Sequence, residues 1–159
     1  MGTIEDYSTG RISESIRKAL RFFDNPAESS IDNAQAVRIQ DRILTFRPMI
    51  MSISEASDFI RKASGIALGE RVCRVLNPDS VSTESIFLDE LAEAMILAGK
   101  ARLVSLEDAL LSLENNSGHP LVISNVSGRY LEICASYQPD CVYWRAEKHG
   151  LRCLKRKTV

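Results

Sequence analysis

The chain has 159 residues, of which 45% are hydrophobic and 26% are charged, and its formal net charge is −1. These values are typical of a soluble globular protein, and they exclude a disordered chain and a surface adapted as a whole to nucleic acid. The N-terminal residues contain no apolar signal segment, and no apolar run is long enough to span a membrane. We therefore expect a cytoplasmic protein with reduced thiols and no membrane association.

The charge is distributed unevenly along the chain. Residues 76–140 carry a net charge of −7, whereas residues 141–159 carry a net charge of +5. Such segregation can guide the docking of a partner, and it can equally be matched within the molecule. The basic C-terminal segment is therefore a candidate binding surface with an alternative, purely solvated role.

The N-terminal half is expected to be helical. Residues 1–10 are predicted to form a flexible tail, and residues 11–159 a single α+β domain that is helical over 11–115. Apolar residues at spacings of three and four predict one helix from Ile12 to Phe23 and another from about Ile31 to Phe46. Pro26 separates them, because the residue before a proline avoids the helical conformation.

About three further helices are predicted before residue 115. The segment "SISEASDFIRKASGIALG" begins with Ser54 or nearby Ser52 as the expected cap and has Gly69 as its expected end. The segment "STESIFLDELAEAMILAG", capped by Ser82 or Thr83, is apolar around most of its circumference and predicts a central core helix. The segment "SLEDALLSLENN" predicts a shorter helix that follows Ser105.

The hydrophobic period changes from 3.6 to about two after Gly118. Four runs rich in β-forming residues follow, "PLVISNV", "RYLEICASY", "CVYWRAEK" and "LRCLKRKTV", and turn-forming residues separate them. This pattern predicts a four-stranded antiparallel β-meander over residues 119–158, packed on the central apolar helix. The expected fold class is therefore α+β, with about five helices before the meander.

Cysteine and histidine residues in the last runs raise the question of a metal site. Cys134, Cys141, His149 and Cys153 lack the C-x2-C spacing that most structural zinc sites use. A hairpin that turns at His149–Gly150 would also place Cys141 roughly 16 Å along the strand from the level of Cys153. The hairpin and a zinc site exclude one another, and we expect the hairpin, without a metal or a cofactor.

The predicted hairpin sorts its side chains onto two faces. Trp144 and Cys153 would point inward, and Glu147 would lie opposite Arg152 on the outer face. The basic outer edge can guard an edge strand, bind nucleic acid or contact an acidic protein. The candidate partner or nucleic-acid residues are Tyr143, Arg145, Lys148, Arg152, Lys155, Arg156 and Lys157, with Arg38 and Arg42 one turn apart on the second helix.

Signals for an enzyme are weak. The phosphate-loop, dinucleotide, nucleophile-elbow and H-E-x-x-H motifs are all missing from the sequence. His119 and His149 lie at an expected strand entry and turn, where a general base is poorly sheltered. Arg71 and Arg74 flank Cys73 and could lower its thiol pKa, but a buried cysteine on an amphipathic segment is the favoured interpretation.

These observations favour a small, non-catalytic regulatory or adaptor protein that binds another macromolecule, a protein in the first place. One alternative is a nucleic-acid-binding regulator that uses the basic C-terminal hairpin. A further alternative is a small enzyme whose site is assembled from residues distant in the sequence. Homo-oligomerisation is also left open.

Overall fold

One mixed β-sheet organises the residues that the computed structural model describes, which are 2–24, 33–80 and 83–156. Within these ranges the sheet has seven strands in the order β4-β2-β3-β6-β5-β1-β7. All neighbours are antiparallel except β1 and β7, which are parallel. The strands are β1 (Met49–Met51), β2 (Ile66–Glu70), β3 (Glu84–Leu88), β4 (Ala101–Leu103), β5 (Leu121–Val126), β6 (Arg129–Ala135) and β7 (Lys155–Arg156).

Eight helices in the same ranges are interspersed with these strands after three initial helices, which confirms the α+β class. They are α1 (Ile4–Thr9), α2 (Arg11–Asp24), α3 (Asn33–Thr45), α4 (Ile53–Lys62), α5 (Val72–Leu76), α6 (Asp89–Leu97), α7 (Leu106–Asn115) and α8 (Val142–Lys148). Among the described residues, the helices are too short or too polar to cross a membrane. The helices are thus more numerous than the five expected, and they are interspersed with the strands.

The first residues differ from the flexible tail expected over residues 1–10. Thr3 caps α1 with a capping box that it forms with Asp6, and Tyr7 is buried. Helices α2 and α3 coincide with the two predicted helices. The break at Pro26 and the predicted start at Ile31 lie outside the described residues.

The predicted helix that was to end at Gly69 is shorter than expected. Of the two cap candidates, Ser52 caps α4 and Ser54 lies within the helix, but α4 ends at Lys62 and the chain then forms β2. Gly69 lies inside β2, where a Cβ atom would come within 2.5 Å of the carbonyl oxygen of Lys100. Glycine is therefore needed here for the close approach of a neighbouring strand and not for a helix end.

The predicted central helix is also two elements. Glu84–Leu88 forms strand β3, and helix α6 begins only at Asp89, whose φ of 51° breaks the strand. Thr83 does not cap a helix, since its hydroxyl donates to the carbonyl oxygen of Ala135 at 2.9 Å. Ser82, the other cap candidate, is not among the described residues. The segment looked apolar around most of a helix circumference because a buried strand is followed directly by a helix.

The prediction of a four-stranded meander is wrong beyond its first hairpin. Strands β5 and β6 pair around the predicted turn at Ser127–Gly128, where both residues have positive φ. The segment "CVYWRAEK" is helix α8 and not a strand, because Val142 and Ala146, four residues apart, are both buried. Strand β7 does not pair with its neighbour in sequence but with β1.

The predicted hairpin register at His149–Gly150 is replaced by the end of α8. Gly150 has a φ of 95°, and the N–H of Leu151 bonds to the carbonyl oxygen of Ala146, as at many helix ends. The expected pair of Glu147 with Arg152 does not form; Glu147 Oε1 accepts the backbone N–H of Leu154 at 2.8 Å instead. Cys153 is buried, in keeping with its predicted inward position.

The two faces of the sheet differ in chemistry. Side chains of neighbouring strands at one level share a face, and successive levels alternate. One face carries Ile86, Ile123 and Ile133 at a single level. The opposite face, here called the polar face, carries Ser85, Phe87, Val122, Ser124, Glu132 and Cys134. Although most of these side chains are buried, half of the six are hydroxyls or a carboxyl.

Candidate ligand-binding cavity

A cavity of about 550 Å³ lies between the polar face and the helices that cover it. Helices α1, α2 and α3 form one wall with residues that include Tyr7, Ile16, Ala19 and Ile43, and α5 and α8 add others. Its volume is within the range of small-molecule sites, which are mainly apolar with a few placed polar groups.

Glu132 forms the acidic end of the cavity. It projects from the middle of β6, and the whole residue is only 7% exposed. The hydroxyl of Tyr7 donates to its Oε1 at 2.8 Å. Burial raises the pKa of the Glu132 carboxyl, and the nearby hydroxyls of Tyr7 and Ser85 oppose this rise only in part. The carboxyl is therefore placed where a charge is poorly solvated.

Two tyrosine hydroxyls lie close to this acid. The hydroxyl of Tyr143, from α8, is 2.8 Å from the Oγ atom of Ser124 on the neighbouring strand. Burial raises the pKa of Tyr7 and of Tyr143 well above the usual value of a phenol. Both phenols therefore stay neutral, with Tyr7 bonded to Glu132 and Tyr143 to Ser124, which lies opposite Glu132 in the sheet.

Arg71 forms the basic end of the cavity. It directly follows β2 and is only 1% exposed. Its Nη2 atom donates to the hydroxyl of Ser80 at 3.0 Å, and its Nε atom donates to the carbonyl oxygen of Thr83 at 3.3 Å. A guanidinium stays charged even when it is buried, so this end of the cavity carries a permanent positive charge.

The two charged groups belong to opposite ends of the polar face. Glu132 lies opposite Phe87 in the register of β3 and β6. Thr83, whose carbonyl oxygen holds Arg71, precedes Phe87 by four residues in sequence. At roughly 3.3 Å per residue, these backbone levels are about 13 Å apart. The cavity therefore has an acidic and a basic end, with a central part between them.

Three cysteines line the cavity, namely Cys73, Cys134 and Cys141. Burial raises the pKa of Cys73 to about 12 and that of Cys141 to about 11, and it raises the pKa of Cys134 well above its usual value. Arg71 lowers the pKa of Cys73 only slightly against this burial. At neutral pH these thiols are protonated and behave as small apolar groups, not as activated nucleophiles.

The structure contains no group of three or more potential metal-ligating side chains within the described ranges. The four cysteines are all free thiols. The polar side chains that line the cavity carry carboxyl, guanidinium, ammonium and hydroxyl groups.

Arg38 and Arg42, which the sequence offered as candidate partner or nucleic-acid residues, both line the cavity. Both are exposed, so they lie at its outer side. Arg42 Nη1 donates to the hydroxyl of Ser15 at 3.0 Å and thereby links α3 to α2. Asp41 also lines this part, so the charge there is mixed.

The remaining predicted binding residues are separated by the helix. Tyr143 lines the cavity and does not belong to an outer strip, and Arg145 forms an ion pair with Asp24. Lys148, Arg152, Lys155 and Arg156 are exposed on α8, on the following loop and on the edge strand β7. Lys157 lies outside the described residues. Partner or nucleic-acid binding by these residues stays a prediction.

The sequence analysis did not select Tyr7, Ser124 or Glu132, and it considered Arg71 only as a neighbour of Cys73. Glu132 had a usable signal, because it stands between Leu131 and Ile133 in a run that otherwise reads as a buried strand. Ser124 sits in a similarly apolar run. No sequence signal marked Tyr7 or Arg71 as a cavity residue, since only the tertiary fold brings α1 and the end of β2 to the polar face.

Models of known protein families, curated proteins and solved structures were compared with this chain, and none of them matches. The function proposed for the cavity therefore depends on its geometry and chemistry.

Proposed function

We propose that this protein binds a small organic molecule in the cavity between the polar face and helices α1, α2 and α3. The observation that supports this most strongly is the combination of volume and chemistry. A mainly apolar cavity of about 550 Å³ contains a buried carboxyl with a raised pKa and a buried guanidinium. Buried ionisable groups that line a cavity are characteristic of binding and catalytic sites.

A purely structural role accounts poorly for these groups. Burying a charged side chain costs several kcal/mol unless other groups compensate for the lost water. Apolar residues of similar size at position 132 would fill the polar face and avoid this cost. The presence of Glu132 beside open volume is better explained if a ligand provides the missing interactions.

Helix α3 gives a route from ligand binding to a regulatory effect. Its 13 residues include Ile43 as a buried side chain, whereas Val37 and Leu44 are about half exposed. Ligand contacts with Ile39 and Ile43 would add to this sparse packing and favour one position of α3. The expectation of a non-catalytic regulatory protein fits such a device, and its macromolecular partner stays a prediction, as does nucleic-acid binding.

Thermal unfolding in the presence of a small-molecule library tests the proposal. A ligand at one hundred times its Kd stabilises the native state by about 2.7 kcal/mol, which gives a clear rise in Tm. Ala19→Phe places a ring in the cavity from α2, and Val122→Phe does so from the sheet. We expect compounds that stabilise the native protein to lose this effect in both variants.

Ala98→Phe is the matched control, because it adds the same ring at an exposed position at the end of α6. This variant should respond to ligands as the native protein does. The proposal is wrong if a broad library yields no stabilising compound. It is equally wrong if stabilising compounds act unchanged on folded Ala19→Phe and Val122→Phe proteins.

A further inference from the structure

We infer that the ligand is a zwitterion whose cationic nitrogen group binds Glu132 and whose anionic group binds Arg71, with an apolar segment between them. This inference rests on the proposed function and adds the chemical class of the ligand. It follows from the placement of two opposite charges at the two ends of one cavity.

The cationic group is inferred from the partners of Glu132. The protein groups beside its carboxyl are the hydroxyls of Tyr7 and Ser85, which are neutral. Among the described residues, no basic side chain forms an ion pair with Glu132. A carboxylate in a poorly solvated site gains most from a positive charge in direct contact. An ammonium or protonated nitrogen on the ligand supplies that charge.

The anionic group is inferred from the chemistry of Arg71. Its guanidinium lines the cavity at the level of Thr83, whose carbonyl oxygen accepts the Nε–H of Arg71. A guanidinium presents five N–H donors in a planar fork that matches a carboxylate. A ligand carboxylate is therefore the group that this end of the cavity recognises best.

The apolar segment is inferred from the surfaces between the two ends. Cys134 lies on β6 two residues from Glu132 and carries a protonated thiol. Val72, Val122 and Val142 line the same cavity and have no polar side-chain atoms. Since the ends are about 13 Å apart at the backbone and both side chains extend from it, a chain of several methylene groups suits the gap better than an α-amino acid.

Calorimetric titration of the full chain with compounds of one chain length tests the inference. The probes are ε-aminocaproic acid, which carries both charges, hexylamine, which carries only the cation, and caproic acid, which carries only the anion. We expect the zwitterion to bind at least tenfold more tightly than either singly charged compound. β-Alanine, with the same two charges too close together, should bind more weakly than ε-aminocaproic acid.

Two variants assign the ends. Glu132→Gln should weaken ε-aminocaproic acid and hexylamine at least tenfold and leave caproic acid unchanged. Arg71→Met should weaken ε-aminocaproic acid and caproic acid at least tenfold and leave hexylamine unchanged. Arg71→Lys keeps the positive charge and should retain part of the affinity that Arg71→Met loses. Arg152→Ser, which changes an exposed arginine after α8, is the control and should leave all three affinities unchanged.

The inference is overturned if hexylamine or caproic acid binds as tightly as ε-aminocaproic acid, or if Glu132→Gln leaves the zwitterion's affinity unchanged. It is also overturned if neither ε-aminocaproic acid nor β-alanine binds while a library compound without both charges occupies the cavity. In that last case the proposed function still holds. If no compound of any class binds, both the inference and the proposed function are wrong.

Discussion

Two acidic residues, Asp89 and Glu132, lie in regions of the sheet with opposite electrostatic character. Asp89 stands at the junction of β3 and α6, where it accepts the backbone N–H of Ser64 at 2.7 Å and its hydroxyl at 2.9 Å. Arg129 adds an ion pair at 2.8 Å. Burial alone would raise the pKa of Asp89, but the bonds from Ser64 and the charge of Arg129 hold it below its usual value.

At Glu132 burial outweighs the hydrogen bonds in its effect on the carboxyl pKa. Burial raises its pKa, and the hydroxyls beside it do not reverse the effect. The chain supplies a cation for Asp89 and none that forms an ion pair with Glu132 within the described ranges. Asp89 therefore stabilises the fold, whereas the fold places Glu132 in a site where a bound molecule can supply the missing positive charge.

Removal of Asp89 should have the largest effect on stability. Asp89→Ala should lower the free energy of unfolding at neutral pH by about 2–3 kcal/mol, because charged hydrogen bonds contribute about 1.5–3 kcal/mol and alanine tolerates the positive φ poorly. Asp89→Asn keeps the turn and should lose less. Urea unfolding measures both variants.

The pH dependence gives an independent check of the role of Asp89. Because its pKa is lowered by folding, its contribution is present above its ordinary value of 3.8 and is lost as the pH falls through the lower folded value. The difference between native protein and Asp89→Asn should shrink over that range. Glu90→Ala is the control; Glu90 also pairs with Arg129 but is 57% exposed, so its loss should change stability by less than about 1 kcal/mol.

Glu132→Gln should change stability in the direction opposite to Asp89→Ala and raise the free energy of unfolding at neutral pH. The folded pKa of Glu132 is raised, so native stability falls as the pH rises from 4.5 toward the folded value, at about 1.4 kcal/mol for each unit of raised pKa. The variant lacks this loss and should be the more stable protein at neutral pH. Urea unfolding from acid to neutral pH measures it. A constant difference between the two proteins across that range would contradict the expectation, and Glu114→Gln, at an exposed position, is the control.

Tyr7→Phe should have the smallest effect of the three. It removes the 2.8 Å bond to Glu132 and should lower the free energy of unfolding by about 0.5–1.5 kcal/mol. Since this bond opposes the rise in the Glu132 pKa, the carboxyl should titrate at a higher pH in the variant, as measured by NMR. Tyr130→Phe, which removes an exposed bond to the carbonyl oxygen of Arg47, should leave that titration unchanged.

The sequence allowed the elements with strong local signals to be predicted. Helices α2, α4 and α7 have regular apolar spacing, and Ser52 and Ser105 cap the last two. The hairpin of β5 and β6 has a turn at Ser127–Gly128 that local geometry dictates. In each case the residues that determine the structure are neighbours in the chain.

The failures occurred where distant residues decide the structure. "SIFL" is equally apolar as a helix or as a buried strand, and pairing with β2 and β6 selects the strand. "CVYWRAEK" has strong β-forming residues, but burial of Val142 and Ala146 selects helix α8. The cavity was missed for the same reason, because its lining residues Tyr143 and Ser85 lie on helix α8 and strand β3, the two elements that were predicted wrongly.

The position of β1 has a consequence for how the protein folds. Met49 pairs with Ile123 and Lys155, so β1 gains its neighbours only from segments some 70 or more residues further along the chain. Closing loops of that length before any contact compensates for the lost entropy slows folding. During synthesis β1 must therefore wait for the later strands. Refolding should accordingly be slower than in a helical protein of the same length.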